Sequence, residues 1–191
     1  MPSSYTDLGI ELMVTGENSG TWGDKTNTNL NIINQAAAGY QAISIAGGAN
    51  TTTLGIQDGS SDLTGNTNAA RNLIIELTGT ITGNQVVTVP DSVEKSYIIK
   101  NNTTGTFTVE FKTASGTGFT FATTDKGTRL AYANGTNVID VNAAFTTISQ
   151  FTLPTADGTA DQALITDASG NLSFSGPFAT NGKAIAFAIV F

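Results

Sequence analysis

The chain has 191 residues, of which 12% are charged, and it carries a net charge of −7 with eight Lys and Arg, no His and no Cys. So few basic residues exclude a basic surface for nucleic acid, and the lack of His and Cys removes the usual general base, the thiolate nucleophile and soft-metal sites. The 21 glycines and the abundant Thr and Asn favour tight turns and exposed strand faces, so the composition predicts a mainly β protein.

Residues 1–40 begin with a glycine-rich loop. The N-terminus has neither a basic region nor a long apolar run, so no secretory signal is predicted. Residues 16–24 read GENSGTWGD and include the only Trp of the chain. Because a loop so rich in Gly loses much backbone entropy when it orders, a large side chain is expected to anchor it, and Trp22 is the candidate.

The loop leads into the one predicted helix. Leu30, Ile33 and Ala37 share one face at helical spacing, with Ile32 and Ala36 beside them. A short helix of mostly Asn, Thr and Ala is too weak to stand alone in water. Its apolar face is therefore expected to dock, either on the protein's own β domain or on a partner chain.

The loop and helix together resemble the start of many fibre-like virion proteins of tailed phages, especially marine phages. In those proteins a similar G-E-x-S-G-T-W-G segment runs into a helix rich in Asn and apolar residues. The resemblance implies that residues 1–40 attach the protein to a particle, with Trp22, Leu30 and Ile33 as assembly contacts. The alternative is a Trp22 ring that folds back onto Leu30 or Ile33.

Residues 41–145 are predicted to form an antiparallel β domain of the sandwich or prism kind, with a barrel as a further form. In residues 106–112, Phe107, Val109 and Phe111 alternate with polar residues, which indicates a half-buried antiparallel strand. Asn134-Gly135 is typical of a hairpin turn. The other predicted strands are 73–77, 86–89, 97–99, 118–121, 129–132 and 137–141. Similar stretches occur in fibre proteins of marine phages, so the resemblance extends over this region.

Residues 146–191 are predicted to contain a hairpin. Its strands are 163–166 and 172–175, joined by the turn 167–171. The stretch 153–174 resembles a short repeated element of phage tail-fibre and spike shafts. One hairpin cannot bury itself, so it is expected to pack on the main domain or on copies of itself.

The chain ends in an apolar segment, residues 184–191, which as a strand is apolar on both faces. It is far shorter than the roughly 20 residues of a membrane-spanning helix, so membrane insertion is not expected. Two interpretations remain open: a central strand of the protein's own sheet, or an oligomerisation strand between subunits. The large residues on its one face are Ile185, Phe187, Ile189 and Phe191.

Groups that could carry chemistry are few. Asp58 with Asp62, and Glu76 with Glu110 across the sheet, are the carboxylate pairs that a glycosidase mechanism could use, but both are expected to be solvated charges. The loops 58–62 and 167–171 offer oxygen ligands, yet neither matches the twelve-residue calcium loop. The sequence therefore predicts no catalytic, cofactor-binding or metal-binding residue, and no enzyme.

These features predict a structural protein of a tailed-phage virion, made in the host cytoplasm and located on the tail or the capsid surface. The resemblance implies a fibre- or spike-like appendage, or its adaptor, with other virion proteins as partners and a homotrimer favoured. A host surface glycan is a candidate ligand in host attachment. The alternatives are a capsid decoration protein or head fibre and, more remotely, a carbohydrate-binding module with Trp22 and Tyr40 exposed on one face. Tyr97 and Tyr132 are expected to pack in the core.

Overall fold

A computed structural model describes residues 2–141, 147–148, 151–154, 156, 158–160 and 162–176. The chain divides into two compact units, Met1–Asn142 and Ala143–Phe191. The protein is mainly β with one α-helix near the N-terminus of the described chain, as the sequence predicts. The elements of the first unit are β1 (Ser4–Tyr5), β2 (Glu11–Leu12), α1 (Trp22–Ala38), β3 (Tyr40–Ser44), β4 (Asn50–Thr53), a 3-10 turn (Ala69–Arg71), β5 (Ile74–Thr80), β6 (Gln85–Val89), β7 (Glu94–Thr104), β8 (Val109–Thr113), β9 (Gly118–Phe121), β10 (Thr128–Asn134) and β11 (Val138–Asp140).

The first unit is a stack of three successive chain turns, and each turn gives one strand to each of two sheets. β3, β5 and β7 lie side by side and parallel in one sheet, and β4, β6 and β8 do the same in the other. Ile74 pairs with Ile98 and Gln85 with Val109, in each case 24 residues further along the chain. The first turn is longer because the loop 54–73 is inserted between β4 and β5.

Antiparallel strands complete both sheets at the far side of the stack. β9 pairs with β8, β10 pairs with β7, and β11 pairs with β10. The sheet orders are therefore β11-β10-β7-β5-β3 and β4-β6-β8-β9. Val138 N–H donates to Thr117 O at 2.9 Å, which joins the β11 and β9 sides to each other. The hairpin predicted at Asn134-Gly135 is confirmed as the β10–β11 connection, and Gly135 has a φ of +82° there.

Each strand predicted within residues 41–145 overlaps an observed strand, whereas the sequence pattern does not predict β3 and β4. Pairing is mixed, and the parallel part differs from the antiparallel pairing expected for residues 106–112: β8 is parallel to β6 and antiparallel to β9. The reason is that each short loop carries the chain from one sheet to the other. Consecutive strands of the stack thus lie in opposite sheets, and each strand pairs with the strand of the same sheet in the next chain turn.

The core fills the space between the two sheets. Val109 and Phe111 are fully buried and Phe107 packs against the same cluster, which confirms the predicted alternation of β8. Tyr97 is fully buried and its hydroxyl donates to Ala70 O at 2.9 Å, so its predicted place in the core is confirmed. The buried cluster consists of Ile43, Ile45, Leu54, Ala69, Ala70, Ile75, Leu77, Ile81, Val87, Val89, Tyr97, Ile99, Val109, Phe111, Phe121, Ala131, Ala133 and Val138.

The second unit contains two short antiparallel pairs, β12 (Thr147–Ile148) with β13 (Phe151–Thr152) and β14 (Leu164–Thr166) with β15 (Leu172–Phe174). The second pair confirms the predicted hairpin. Its turn is closed by the Asp167 carboxylate, which accepts hydrogen bonds from Ser169 N at 2.8 Å and Asn171 N at 3.0 Å. The predicted terminal strand, with Ile185, Phe187, Ile189 and Phe191, lies outside the described residues.

Candidate docking surface

The start of the chain folds against a polar side of α1. β1 and β2 form a short antiparallel pair. The side-chain amide of Asn29 accepts from Glu11 N and donates to Glu11 O, both at 2.9 Å. Lys25 lies 3.0 Å from the Glu11 carboxylate, and its hydrogen bond, followed by that of Asn18, holds the pKa of Glu11 below the usual range. Polar residues of the helix therefore fix the N-terminal segment.

Trp22 does not anchor the glycine-rich loop. It is the first residue of α1 and its side chain is 64% exposed, so its ring is neither packed in the loop nor covered by Leu30 or Ile33. The loop is held instead at Glu17, whose carboxylate accepts hydrogen bonds from Ser3 N at 3.2 Å and from Ser3 Oγ at 2.7 Å. Because these polar contacts hold the segment, the indole remains uncovered.

α1 has one buried side and one uncovered apolar side. Ile32 and Gln35 are its buried residues. Leu30 is 57% exposed and Ile33 49% exposed, and both share a face with the more exposed Trp22. At 3.6 residues per turn the three fall within a sector of about 80°, away from Gln35. We call Trp22, Leu30 and Ile33 the α1 apolar face; of the apolar residues predicted for the helix, Ile32 is the one that packs inward.

Arg71 accounts for the burial of Gln35, and the sequence pattern does not identify either residue as part of the site. The fully buried guanidinium of Arg71 donates hydrogen bonds to Leu8 O at 2.8 Å, Gln35 Oε1 at 3.0 Å, Gln57 O at 2.9 Å and Ser60 O at 2.7 Å. These bonds engage four of the five N–H donors of the buried guanidinium, while burial lowers the pKa of Arg71. Arg71 thus joins the N-terminal segment, α1 and the inserted loop, and it orients the helix by its polar side.

A row of apolar side chains crosses the outer face of the β3-containing sheet. Tyr40 pairs with Ile74, Ile74 with Ile98, and Ile98 with Leu130. Tyr40 is 54% exposed and Leu130 is 44% exposed. Tyr132 lies on the same face of β10 and is also exposed, so the expectation that it packs in the core is wrong. Alternation along β10 places Ala131 and Ala133 inward instead.

Glu76 is held in a network beside this row. The Tyr40 hydroxyl donates to one carboxylate oxygen, while Lys100 Nζ at 2.9 Å and Asn102 Nδ2 at 2.7 Å reach the other. The Tyr40 hydrogen bond and then the Lys100 contact hold the pKa of Glu76 below its usual range, and the same carboxylate raises the pKa of Tyr40. The carboxylate therefore stays ionised and fully occupied by its neighbours.

The structure places the carboxylates of the predicted acid pairs as follows. Glu76 lies on β5 and Glu110 on β8, which belong to different sheets. Asp62 closes its own turn, accepting from Thr64 N at 2.9 Å and Thr64 Oγ1 at 2.7 Å, and these bonds lower its pKa. Within the described ranges, no group of three or more His, Cys, Asp or Glu side chains could hold a metal ion.

The aromatic residues named for a sugar-binding module do not share a platform. Trp22 is the first residue of α1 and Tyr40 follows its last turn. At a rise of 1.5 Å per residue, about 24 Å of helix separates the ends of the element. Both side chains are exposed, but one sugar ring cannot stack on both of them.

These features define a mainly β scaffold that presents an uncovered apolar helix face. In the part of the chain that the structure describes, no helix combines the length and apolarity needed to cross a bilayer. Comparisons with models of protein families, with curated proteins and with solved structures found no match.

Proposed function

We propose that the protein is a structural component of a tailed-phage virion, a fibre- or spike-like appendage or its adaptor, that attaches to other virion proteins through the α1 apolar face and works as a homo-oligomer. The observation that carries the proposal is the exposure of this face. Trp22, Leu30 and Ile33 lie together on one side of a helix whose other side is already packed. A rigid aromatic beside two aliphatic side chains is the composition of an interface centre.

The way in which α1 is fixed supports docking by this face. Arg71 holds the helix through Gln35, on the side away from the apolar face, while Asn29, about 20° around the helix from Trp22, ties the N-terminal segment next to that face. A helix that is positioned in this way loses little further conformational entropy when a partner covers the α1 apolar face. The apolar face is therefore presented in advance to a complementary groove.

The proposal includes that the protein is not an enzyme. Its support is that Glu76 and Asp62 are occupied by structural hydrogen bonds and that Glu110 lies in the other sheet from Glu76. A protein that only binds partners needs a docking surface and no reactive side chains.

The capsid surface is the alternative location of the protein on the particle. Antibody labelling of intact particles in the electron microscope distinguishes it from a location on the tail.

The first prediction concerns Trp22→Ala. We expect at least a tenfold loss of incorporation into particles, because removing a central aromatic anchor commonly weakens an interface by about 2 kcal/mol or more. Incorporation is measured by quantitative mass spectrometry of particles assembled in cells that supply the variant. The melting temperature should change little, since the ring has few contacts to lose.

Tyr132→Ala is the matched control, because Tyr132 is an exposed aromatic residue on the sheet and not on α1. It should enter particles as the unchanged chain does. Normal incorporation of Trp22→Ala, or a fall in incorporation matched by a fall in melting temperature, would contradict the proposal.

A further inference from the structure

The near side of the strand stack ends in two open edges. β3 is the last strand of one sheet and β4 the last strand of the other, and both belong to the first chain turn. The far side differs, because Val138 N–H bonds to Thr117 O there and joins the two sheets. Among the described residues, no backbone bond of this kind joins β3 to β4.

The direction in which the backbone groups of these edges point follows from the strand register. Ile45 N–H donates to Thr78 O and Gly39 O accepts from Ile74 N, each at 2.9 Å. In a parallel ladder alternate residues of a strand bond to one neighbour, so the N–H and C=O groups of Ala42 and Ser44 point away from β5. None of these groups has a hydrogen-bond partner among the described residues, and both residues are exposed.

The same reasoning applies to β4. Leu54 N–H donates to Thr88 O at 2.8 Å. Even-numbered residues therefore face β6, and the N–H and C=O groups of Thr51 and Thr53 point outward. Both residues are exposed and, within the described chain, their outward groups also have no partner.

Neither edge carries a feature that blocks strand addition. β3 reads YQAIS and β4 reads NTTT, so both lack charged residues and Pro. Proteins usually protect an open edge with Lys, Pro or a bulge, because an unprotected edge is a template for a further strand. Two uncharged edges side by side are therefore suited to pairing with another chain.

We propose that these edges pair with the same edges of a second copy of the chain, about a two-fold axis normal to the sheets. β3 would lie antiparallel to its symmetry mate with Ala42 opposite Ala42, and β4 would do so with Thr52 opposite Thr52. One axis can serve both pairs because Ala42 and Thr52 lie equally far along the chain from the intervening loop 45–49. Antiparallel pairing of identical strands brings like residues together, which uncharged strands tolerate.

A second copy is the occupant that completes both edges at once. A partner must supply two strands at the spacing of two packed sheets, about 10 Å apart. The first chain turn of another copy supplies β3 and β4 at the same spacing, because it is the same structure, and the edges of these strands are open there too. In this dimer the two rows of apolar side chains that begin at Tyr40 would also come close to each other, since Tyr40 of one copy would lie opposite Ser44 of the other. This assembly specifies the homo-oligomer of the proposed function, and it is independent of attachment through the α1 apolar face, which the Trp22→Ala experiment tests separately.

The test uses the full chain, light scattering and hydrogen exchange. We expect a dimer whose mass falls to that of one chain on dilution, with the amides of Ala42, Ser44, Thr51 and Thr53 protected only in the dimer. Ala42→Lys should give monomers at the same concentration, since two ammonium groups would face each other across the axis. Mixing Ala42→Lys with Ala42→Glu should restore the dimer at low salt.

Ser96→Lys is the matched control, because Ser96 is exposed on the outer face of the interior strand β7 and adds the same charge away from the edge. It should leave the dimer intact. A monomer at all concentrations, a trimer, or a dimer insensitive to Ala42→Lys would overturn the edge pairing. Each of those results leaves the particle incorporation of Trp22→Ala as a separate test of the proposed function.

Discussion

At the scale of single residues, buried polar groups define the local geometry. The buried Arg71 and Glu76 and the half-buried Asn29 form hydrogen bonds with neighbours that are far away in sequence, as in the bond from Arg71 to Leu8, 63 residues apart. Leaving a buried group unpaired costs more than the bond itself contributes. These residues therefore set where α1 and the outer sheet face lie.

Lys95 gives a prediction at this scale. Its Nζ donates to Asn72 O at 2.8 Å and lies 4.1 Å from the centroid of the Tyr97 ring, and burial lowers its pKa to about 7. In the unfolded chain a Lys titrates near its ordinary pKa of about 10.4. Between pH 7 and 9 the unfolded chain thus binds more protons at this residue, so the free energy of unfolding should rise with pH.

The measurement is urea unfolding at pH 7, 8 and 9. The contribution of Lys95 should approach about 1.4 kcal/mol per pH unit, and Lys95→Met should remove it. Above that window Tyr97 acts in the opposite direction, because burial raises its pKa and holds its proton in the folded state. Lys112→Met, on a half-exposed strand position, should keep the slope; an equal slope in Lys95→Met would contradict the assignment.

At the scale of elements, α1 has one side packed in its own fold and another that is left for the proposed partner. Ile32 and Gln35 face inward, while the α1 apolar face remains uncovered. Isolated helices of this length and composition are marginal in water, so α1 depends on its packed side. The exposed apolar side contributes little to folding and is free for assembly.

The helix prediction compares two aliphatic positions on α1. Ile32→Ala should lower the free energy of unfolding by about 2–5 kcal/mol, since Ile32 is fully buried. Leu30→Ala should change it by less than about 0.5 kcal/mol, because Leu30 has no packed environment to lose. Denaturant unfolding of both variants measures the contrast, and comparable losses would mean that Leu30 is part of the core.

At the scale of the whole molecule, the buried cluster lies wholly within Met1–Asn142. Each chain turn of the stack forms its backbone hydrogen bonds with the adjacent turn. Gly105 shows how closely the backbones of adjacent turns approach each other. Its φ is +105°, and a Cβ there would collide with Ile81 O of the preceding turn. Stability is therefore expected to reside in this unit as one cooperative body.

The corresponding prediction concerns a fragment of residues 1–142. It should retain a β-type circular dichroism spectrum and unfold in one cooperative urea transition, because it keeps the complete buried cluster. Circular dichroism and intrinsic fluorescence should give coincident transitions. A fragment that binds a hydrophobic dye and melts without a transition would show that residues 143–191 complete the core.

The sequence by itself determined the mainly β class, the helix, the position of most strands and the hairpins at Asn134-Gly135 and 167–171, because period and turn chemistry act over a few neighbouring residues. It also named Trp22, Leu30 and Ile33 among the assembly contacts, although it placed Trp22 in the loop and not on the helix face. Only the tertiary structure decided that this group stays uncovered, that pairing between turns is parallel, and that β3 and β4 form open edges. Those outcomes depend on contacts such as Arg71 with Gln35, between residues distant in the chain, which local patterns do not encode.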